Sequence, residues 1–365
     1  MAGILKVDEI SEATQNDGVI LNNNVKVRLA DNSTQHLIST SGNTTTIDNI
    51  SLGSNTIPNS SFMFRNKIIN GGMQIDQRNS GASVGPFASA SAGYKGVDRW
   101  FIASDPMTSQ QITGNTPTGF SHYLKLTKGS GSNIDIRQTV ELPAAGQAGQ
   151  FGVGSVWTLS FYAKSVAGGE TLNFSTYFRA GVATGTFTAV SAPTPSSVIL
   201  TTNWTRYSVL FTIDVSPGSN DLCIAFGLNT TATELHLTGV QLEEGPVATP
   251  FEHRPYGLEL SLCQRYFCKT GQNIFIGRGN SNSAVFGVTT PVSMRSTPTI
   301  TITNGNIVVY DHDSNESSST DTVTVNGSTT YDGFGFRCHV SGVSAPNNRV
   351  HAIESEGNMT FSSEL

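Results

Sequence analysis

The sequence predicts an all-β protein interrupted by a single short helix, and three observations carry that reading. In the middle of the chain, apolar and polar residues alternate with a period of two, the pattern of half-buried antiparallel strands. Trp157, Leu159, Phe161 and Ala163 face one way, while Thr158, Ser160, Tyr162 and Lys164 face the other. Leu172, Phe174 and Phe178 repeat the pattern, as do Tyr207, Val209, Phe211 and Ile213, then Leu222, Ile224, Phe226 and Leu228. The composition agrees: charged residues are 13% of the 365, about half the usual share of roughly 25%, beside 37 glycines and abundant Ser, Thr and Asn. Such a chain is turn-rich and presents hydroxyls and amides rather than charges. Helical spacing appears in the stretch beginning at Leu258, after Pro246, Pro250 and Pro255 have ruled out regular helix or central strand.

Taken in order, residues 1–61 form a thin N-terminal region. Lys6-Val7-Asp8-Glu9-Ile10-Ser11 is echoed by Thr46-Ile47-Asp48-Asn49-Ile50-Ser51. Gly18-Val19-Ile20-Leu21 and Val25-Lys26-Val27-Arg28-Leu29 read as short strands around Asn22-Asn23-Asn24. With no aromatic residue before Phe62, this region cannot build a core alone. It should intertwine with identical copies, dock on a partner, or remain a partly disordered tail. Residues 62–250 hold the alternating strands, enough for a two-sheet jelly roll. The alternation slips between Leu237 and Val240, and one extra residue would restore it, which predicts a β-bulge at Gly239.

Residues 251–270 are a Pro-punctuated crossing and a helix. Leu258, Leu262 and Tyr266 form one stripe, and Leu260, Cys263 and Phe267 a second beside it. Together they cover roughly 200° of the circumference, about twice what docking on one core requires, with Glu259 inside the arc. Two readings stay open: packing on its own chain and on a neighbouring copy, or burial between two domains of one chain. Glu259 should meet a cation such as Arg254 or Arg265. As an oligomer interface, the candidate residues are Leu258, Glu259, Leu262, Cys263, Tyr266 and Phe267. Residues 271–365 predict a smaller β-sandwich tip. Residues 300–310 read as a hairpin around Asn304-Gly305, and residues 322–327 end in a second Asn-Gly turn. Phe334 and Phe336 alternate about Gly335, and residues 311–319 read as an exposed loop.

The net charge of -6 argues against a nucleic-acid partner, which requires a basic face. No apolar run approaches a membrane span, so no membrane insertion is expected. Cys223, Cys263, Cys268 and Cys338 form no CxxC pair, and read as buried free thiols rather than a zinc site or disulfide framework. Residues 311–316 place oxygen ligands at alternate positions, as a calcium loop begins. They have Glu316 where that loop needs Gly and Thr322 where it needs Glu, so no metal or other cofactor is expected.

Several motifs carry a resemblance. Residues 66–78 read Asn-Lys-Ile-Ile-Asn-Gly-Gly-Met-Gln-Ile-Asp-Gln-Arg. They are followed by Val97-Asp98-Arg99-Trp100, by Gln241-Leu242-Glu243-Glu244-Gly245 with Ala248-Thr249-Pro250-Phe251-Glu252, and by Leu262-Cys263-Gln264-Arg265-Tyr266-Phe267. In that order they resemble a module of tail-fibre and other virion structural proteins of bacteriophages, including cyanophages, over residues 62 to about 300. Met294-Arg295-Ser296-Thr297-Pro298 is similar to the first strand of the tip domain that often follows there. Residues 159–164, with Trp204 and the Gln-Leu-Glu ending, are similar to carbohydrate-binding jelly rolls attached to polysaccharide-degrading enzymes. Gly3-Ile4-Leu5-Lys6-Val7-Asp8 is similar to the start of virion proteins that anchor fibres to a particle. The resemblance implies a homotrimer with a role in host attachment, anchored to other virion proteins by its N-terminal region.

Asp98-Arg99-Trp100 is the most concentrated polar cluster. A Trp beside an Asp/Arg pair reads first as a sheet-closing structural motif, because buried charges persist when paired. Exposed aromatic rings stack on the apolar face of a pyranose, which makes Tyr94, Tyr162 and Tyr177 the preferred ligand-facing set, with Trp100 beside them. Amphipathic Tyr on a wet sheet face is the plainer alternative. Glycoside cleavage needs two carboxylates across the scissile bond, and Glu243 and Glu244 point to opposite faces of one strand. No catalytic motif appears, and no catalytic residue is assigned.

These observations lead to a non-enzymatic attachment protein of the virion, made in the host cytoplasm without a signal peptide. Its three weak sites would gain avidity on host surface polysaccharide. Low charge suits neutral glycans. The alternatives are an architectural baseplate or capsid decoration protein without a ligand, and a monomeric carbohydrate-binding module.

Overall fold

The computed structural model of the chain describes residues 25–28, 34–41, 44–46, 49–52, 55–58, 64–87, 92–103, 107–129, 133–142, 151–179, 187–218, 220–228, 233–271, 273–280, 283–303, 305–311, 316–320, 323–325, 335–341, 343, 350–355 and 358–364. The chain divides into two compact units, residues 1–63 and 64–365. In the first, β1 (Val25–Arg28), β2 (Thr34–Ser41) and β3 (Thr44–Thr46) pair antiparallel in that order, and β4 (Asn49–Leu52) pairs β5 (Asn55–Pro58). The strand expected at 25–29 is present. The one expected at 18–21 lies outside the described residues.

The second unit opens with a jelly roll of two facing antiparallel sheets. Its strands are β6 (Phe101–Ile102), β7 (Met107–Thr113), β8 (His122–Lys128), β9 (Ile134–Val140), β10 (Val156–Ser165), β11 (Thr171–Arg179), β12 (Phe187–Ala189), β13 (Ser197–Ile199), β14 (Thr205–Thr212), β15 (Asp221–Leu228) and β16 (Glu234–Glu244). One sheet runs β14-β10-β16-β8-β7; the other runs β12-β11-β15-β9-β6, with β13 also on β11. The alternation sets which side chains point inward. Trp157, Leu159, Phe161, Ala163, Leu172, Phe178, Leu222, Ile224, Phe226 and Leu228 are all wholly enclosed in the core between the sheets. The reverse face of β10 departs from the expected wet surface. Thr158 and Ser160 are buried because the 245–252 crossing folds over them, Thr158 donating to Gly245 O at 2.5 Å.

The predicted bulge is present. Ser160 pairs Gln241 and Tyr162 pairs Thr238, so Gly239 and Val240 together oppose Phe161. Gly239 has φ +60°, and a Cβ there would sit 2.6 Å from Phe120 Cζ and 3.0 Å from Tyr162, so conformation and space both require glycine. Past the bulge, β16 leaves β8 and pairs with the segment after Phe64, with Val240 N donating to Gly71 O and Lys67 N to Leu242 O.

The crossing leads to α1 (Tyr256–Gln264), which is three residues shorter than its apolar pattern. Tyr266 lies in a turn and Phe267 opens β17 (Phe267–Thr270), because pairing with Ser362 captures the chain there. The remaining strands are β18 (Asn273–Asn280), β19 (Ser283–Thr289), β20 (Thr299–Thr303), β21 (Ile307–Asp311), β22 (Glu316–Thr320), β23 (Val323–Val325), β24 (Gly335–Ser341), β25 (Val350–Ser355) and β26 (Asn358–Ser362). They form a second sandwich with its own core, a three-stranded sheet β17-β26-β20 against β22-β21-β25-β18-β19-β24-β23.

The hairpin expected around Asn304-Gly305 does not form. β20 pairs β26 while β21 pairs β25 and β22, so the turn passes between sheets. Each strand finds a partner that buries its own apolar face: Ile300 beside Phe361, and Val309 beside Ile353. Residues 294–298 are likewise not a strand. Met294 is buried in the core, and Arg295 reaches Asp221 and Glu141. The exposed loop expected over 311–319 is mostly strand: Asp311 ends β21 and residues 316–319 belong to β22, which pairs back on it, while residues 312–315 and the turn after Asn326 lie outside the described residues.

Candidate functional site

Two sites gather the polar side chains, and the 66–78 motif builds the first. Asn66 acts as a strand edge by itself: its Nδ2 donates to Val240 O at 3.1 Å and its Oδ1 accepts from Leu242 N at 3.0 Å. Asn70 takes φ +58°, a conformation Asn tolerates. Its side chain donates to Ile75 O and Asp98 O, and its carbonyl accepts from Trp100 Nε1 at 3.2 Å. Gly71 must lack a side chain, since a Cβ would meet Val240 O at 2.0 Å.

Beneath this turn lies a buried ionic cluster. Asp98 accepts from Arg78 at 3.2 Å and from Gln77 Nε2 at 2.5 Å. Arg78 and Arg99 both bind Glu364, and their guanidinium groups lie over the rings of Phe267 at 3.6 Å and Tyr266 at 3.5 Å. The cluster joins the jelly roll to the second sandwich, whereas the Asp-Arg-Trp motif reads as closing a sheet. Burial pushes the Asp98 carboxyl up to about 6 from its ordinary 3.8, against the pull of Arg78 and Gln77. Between those values the folded chain holds the proton more tightly than the unfolded one. This stabilisation is therefore complete below pH 4 and is lost as pH rises through about 6. Asp98→Asn should remove that decline, on the order of 2 kcal/mol. The check is the difference in Tm between the two proteins at pH 4 and pH 7. A pH-independent difference would count against the assignment.

The second site is on the outer face of the six-stranded sheet. Register sets its side chains in rows: Phe101, Arg137, Ala225 and Ser175, then Thr139, Cys223 and Tyr177, with Arg179 opposite Asp221 further along. Phe101 and Cys223 form an apolar patch apart from the main core, with Tyr94 and Tyr177 packed against it. At the sheet edge, residues between β12 and β13 bow away from β11, and Thr194 bridges to Leu210 of the other sheet. This leaves a cleft of about 560 Å³ lined by Arg137, Phe174, Ser175, Thr176, Tyr177, Arg179, Ala189, Val190, Ala192 and Pro193. Arg137 is held by Asp135 in a two-point pair, at 3.0 and 2.6 Å. Tyr177 and Cys223 are hydrogen bonded, and burial pushes both the phenol and the thiol up, so each stays neutral at ordinary pH.

The structure thus brings together Tyr94 and Tyr177 of the expected ligand-facing set. Tyr94 packs edge-on against Phe101 at 5.3 Å. Tyr162 is on the other sheet, beside Phe120 at 5.4 Å. Trp100 is fully buried, and its ring offers no face to a ligand, because the turn at Arg99 (φ +74°) drives it into the core beside Phe226. Of the residues expected at an oligomer interface, Glu259, Cys263, Tyr266 and Phe267 are enclosed by their own chain. Glu259 is paired with Arg254 at 3.2 Å, and the Tyr266 hydroxyl donates to Glu141 at 2.6 Å. Only Leu258 and Leu262 of that set keep part of their surface. Arg265, the other cation considered for Glu259, binds Glu141 at 2.9 Å. All four cysteines are free and buried.

Sequence reasoning missed Arg137 and Arg179. The signal for Arg179 was available, since it lies two residues past Tyr177 and shares its face.

No family model matches the chain, and no curated protein sequence does. Among solved structures, it is similar to the enzymatically active domain of bacteriophage CBA120 tailspike protein 4, at 17% identity and TM-score 0.32, over 50% of this chain and 22% of that one. It is also similar to the C-terminal family 22 carbohydrate binding module of Clostridium thermocellum Xyn10B, at 12% identity and TM-score 0.31, over 42% of this chain and 89% of that one. A third is the CBM22-1 xylan-binding domain of Paenibacillus barcinonensis Xyn10C, at 16% identity and TM-score 0.27, over 46% and 95%. Likeness at this level assigns no ligand.

Proposed function

We propose that the protein is a non-enzymatic attachment protein of a bacteriophage virion, binding glycan on the host surface through the jelly roll and acting as a homotrimer. The observation that carries this reading is the cleft beside Tyr177. It offers an aromatic face, the Ser175 hydroxyl and guanidinium donors, the combination that holds a sugar ring by stacking and hydrogen bonding. The order of the 66–78, 97–100, 241–252 and 262–267 motifs supports the virion setting, with residues 1–61 engaging other particle proteins. Assembly is supported by Ile274 (72% exposed) and Ile276 (77% exposed), which stand beside exposed Tyr310 on the outer face of the seven-stranded sheet. Large apolar side chains grouped in this way mark a contact surface. Asp135, the carboxylate paired with the cleft's Arg137, is held by it at two points, which supports binding without hydrolysis.

The test pairs light scattering of the full chain with binding to a panel of bacterial surface polysaccharides. The expected result is a mass three times 38.7 kDa, glycan binding that falls about tenfold or more in Tyr177→Ala, and no new reducing ends on incubation. A trimer that binds no glycan would favour the architectural role. A monomer that binds would favour an isolated carbohydrate-binding module.

A further inference from the structure

Resting on the glycan-cleft reading above, we infer that the cleft takes a sugar bearing an anionic substituent, a uronate carboxylate or a sulfate ester. The observation is Arg179. It lines the cleft at 9% exposure, its Nε has no hydrogen-bond partner, and no carboxylate among the described residues lies in ion-pair range of it.

The other buried arginines are paired: Arg99 meets Glu364, and Arg254 meets Glu259. Asp221, opposite Arg179 in the register, instead accepts from Leu142 N at 2.9 Å and from Arg295 at 3.4 Å. Residues 180–186, joining β11 to β12, read Ala-Gly-Val-Ala-Thr-Gly-Thr and contain no acid. The Arg179 Nε is enclosed without a partner while the residue lines the cleft, and no carboxylate among the described residues neutralises it, so a ligand that supplies an anion provides the counter-charge the free protein lacks. The planar fork suits a carboxylate or sulfate held at two points. Tyr177, two residues away on the same face, supplies the plane for the ring of the same sugar. Arg137 adds a second cation, partly neutralised by Asp135. The chain's net charge of -6 repels polyanions in general, so a preference for them would have to come from this site.

The experiment compares matched ligands on the full chain by titration calorimetry. One arm sets polygalacturonate against its methyl ester, and the other sets a sulfated galactan against its desulfated form. The expected result is at least tenfold tighter binding of the charged member in one arm, which identifies the substituent, and loss of that preference in Arg179→Met. Tyr177→Ala should weaken both members of the pair. Because Arg179→Met removes an unpaired charge, its Tm without ligand should be equal to or above that of the parent, which excludes misfolding as the cause. Equal binding of charged and neutral members, both lost in Tyr177→Ala, would overturn the anionic inference and leave the glycan cleft standing. Charged preference that survives Arg179→Met would also overturn it. Binding to no member of either arm would remove both readings.

Discussion

Glu364→Ala should destabilise the 64–365 unit by about 3–5 kcal/mol, the range for removing one partner of a buried ion pair. In calorimetry this is a fall in Tm on the order of 10 °C. The size follows from what is left behind. Arg99 is 1% exposed, and besides Glu364 its guanidinium has the Thr139 carbonyl at 2.8 Å and the face of Tyr266. Neither carries a formal charge. Its backbone is also held at φ +74°, where a non-glycine residue persists only if its surroundings hold it. Arg78 keeps Asp98 and loses its second carboxylate. Glu364→Gln should fall between, since an amide oxygen still accepts one of the two bonds. Because Glu364 ties strands of the second sandwich to the 66–100 region of the jelly roll, the alanine variant should also broaden or split the melting transition. A shift of less than about 1 kcal/mol, the worth of an exposed pair, would show that the cluster is open to water.

The contrast between what the sequence revealed and what it hid has a physical basis. Period-two alternation reports one-sided burial directly, so the core faces of β10, β14 and β15 and the bulge at Gly239 could be read residue by residue. Alternation does not report which strand is the neighbour. Ile300 and Val309 each signal a strand, yet the Asn-Gly turn between them joins two sheets, because Phe361 and Ile353 offer better partners than they offer each other. A helical stripe likewise shows that Leu258, Cys263 and Phe267 are apolar, and not whether their cover is another copy or the same chain. Here the cover for Phe267 came from β26 of the second sandwich and from Arg78 of the ionic cluster, both far from it in sequence. Trp100 was open to a structural or a ligand-facing reading for the same reason: its complete burial depends on Asn70 and the left-handed turn at Arg99. The outward placement of Tyr177 was legible from its strand face. The arginines around it mattered only once β9, β15 and β11 were known to lie side by side.

Glu259→Leu should cost about 3 kcal/mol of stability and leave assembly unchanged. On sequence grounds this carboxylate was a candidate for pairing across a subunit boundary. In the structure both its oxygens meet Arg254 Nη1, at 3.3 and 3.2 Å, and one also accepts from the Asn70 backbone N–H. Arg254 in turn donates to the Ile68 carbonyl at 3.0 Å and to the Asn66 carbonyl, so the pair clamps the 66–70 turn onto the start of α1. Leucine would satisfy neither Arg254 nor the Asn70 amide. The loss sits at the lower end of the range for buried pairs because Glu252 remains 3.8 Å from Arg254. The measurement is a paired one on parent and variant: Tm by calorimetry, and mass by light scattering at a temperature where both are folded. A lowered Tm with unchanged mass places the Glu259 contact within one chain, and directs the search for the subunit contact to Leu258, Leu262 and the Ile274 and Ile276 face. A changed mass with unchanged Tm would reverse this, because a carboxylate whose loss disrupts assembly while sparing the fold must find its partner in another copy.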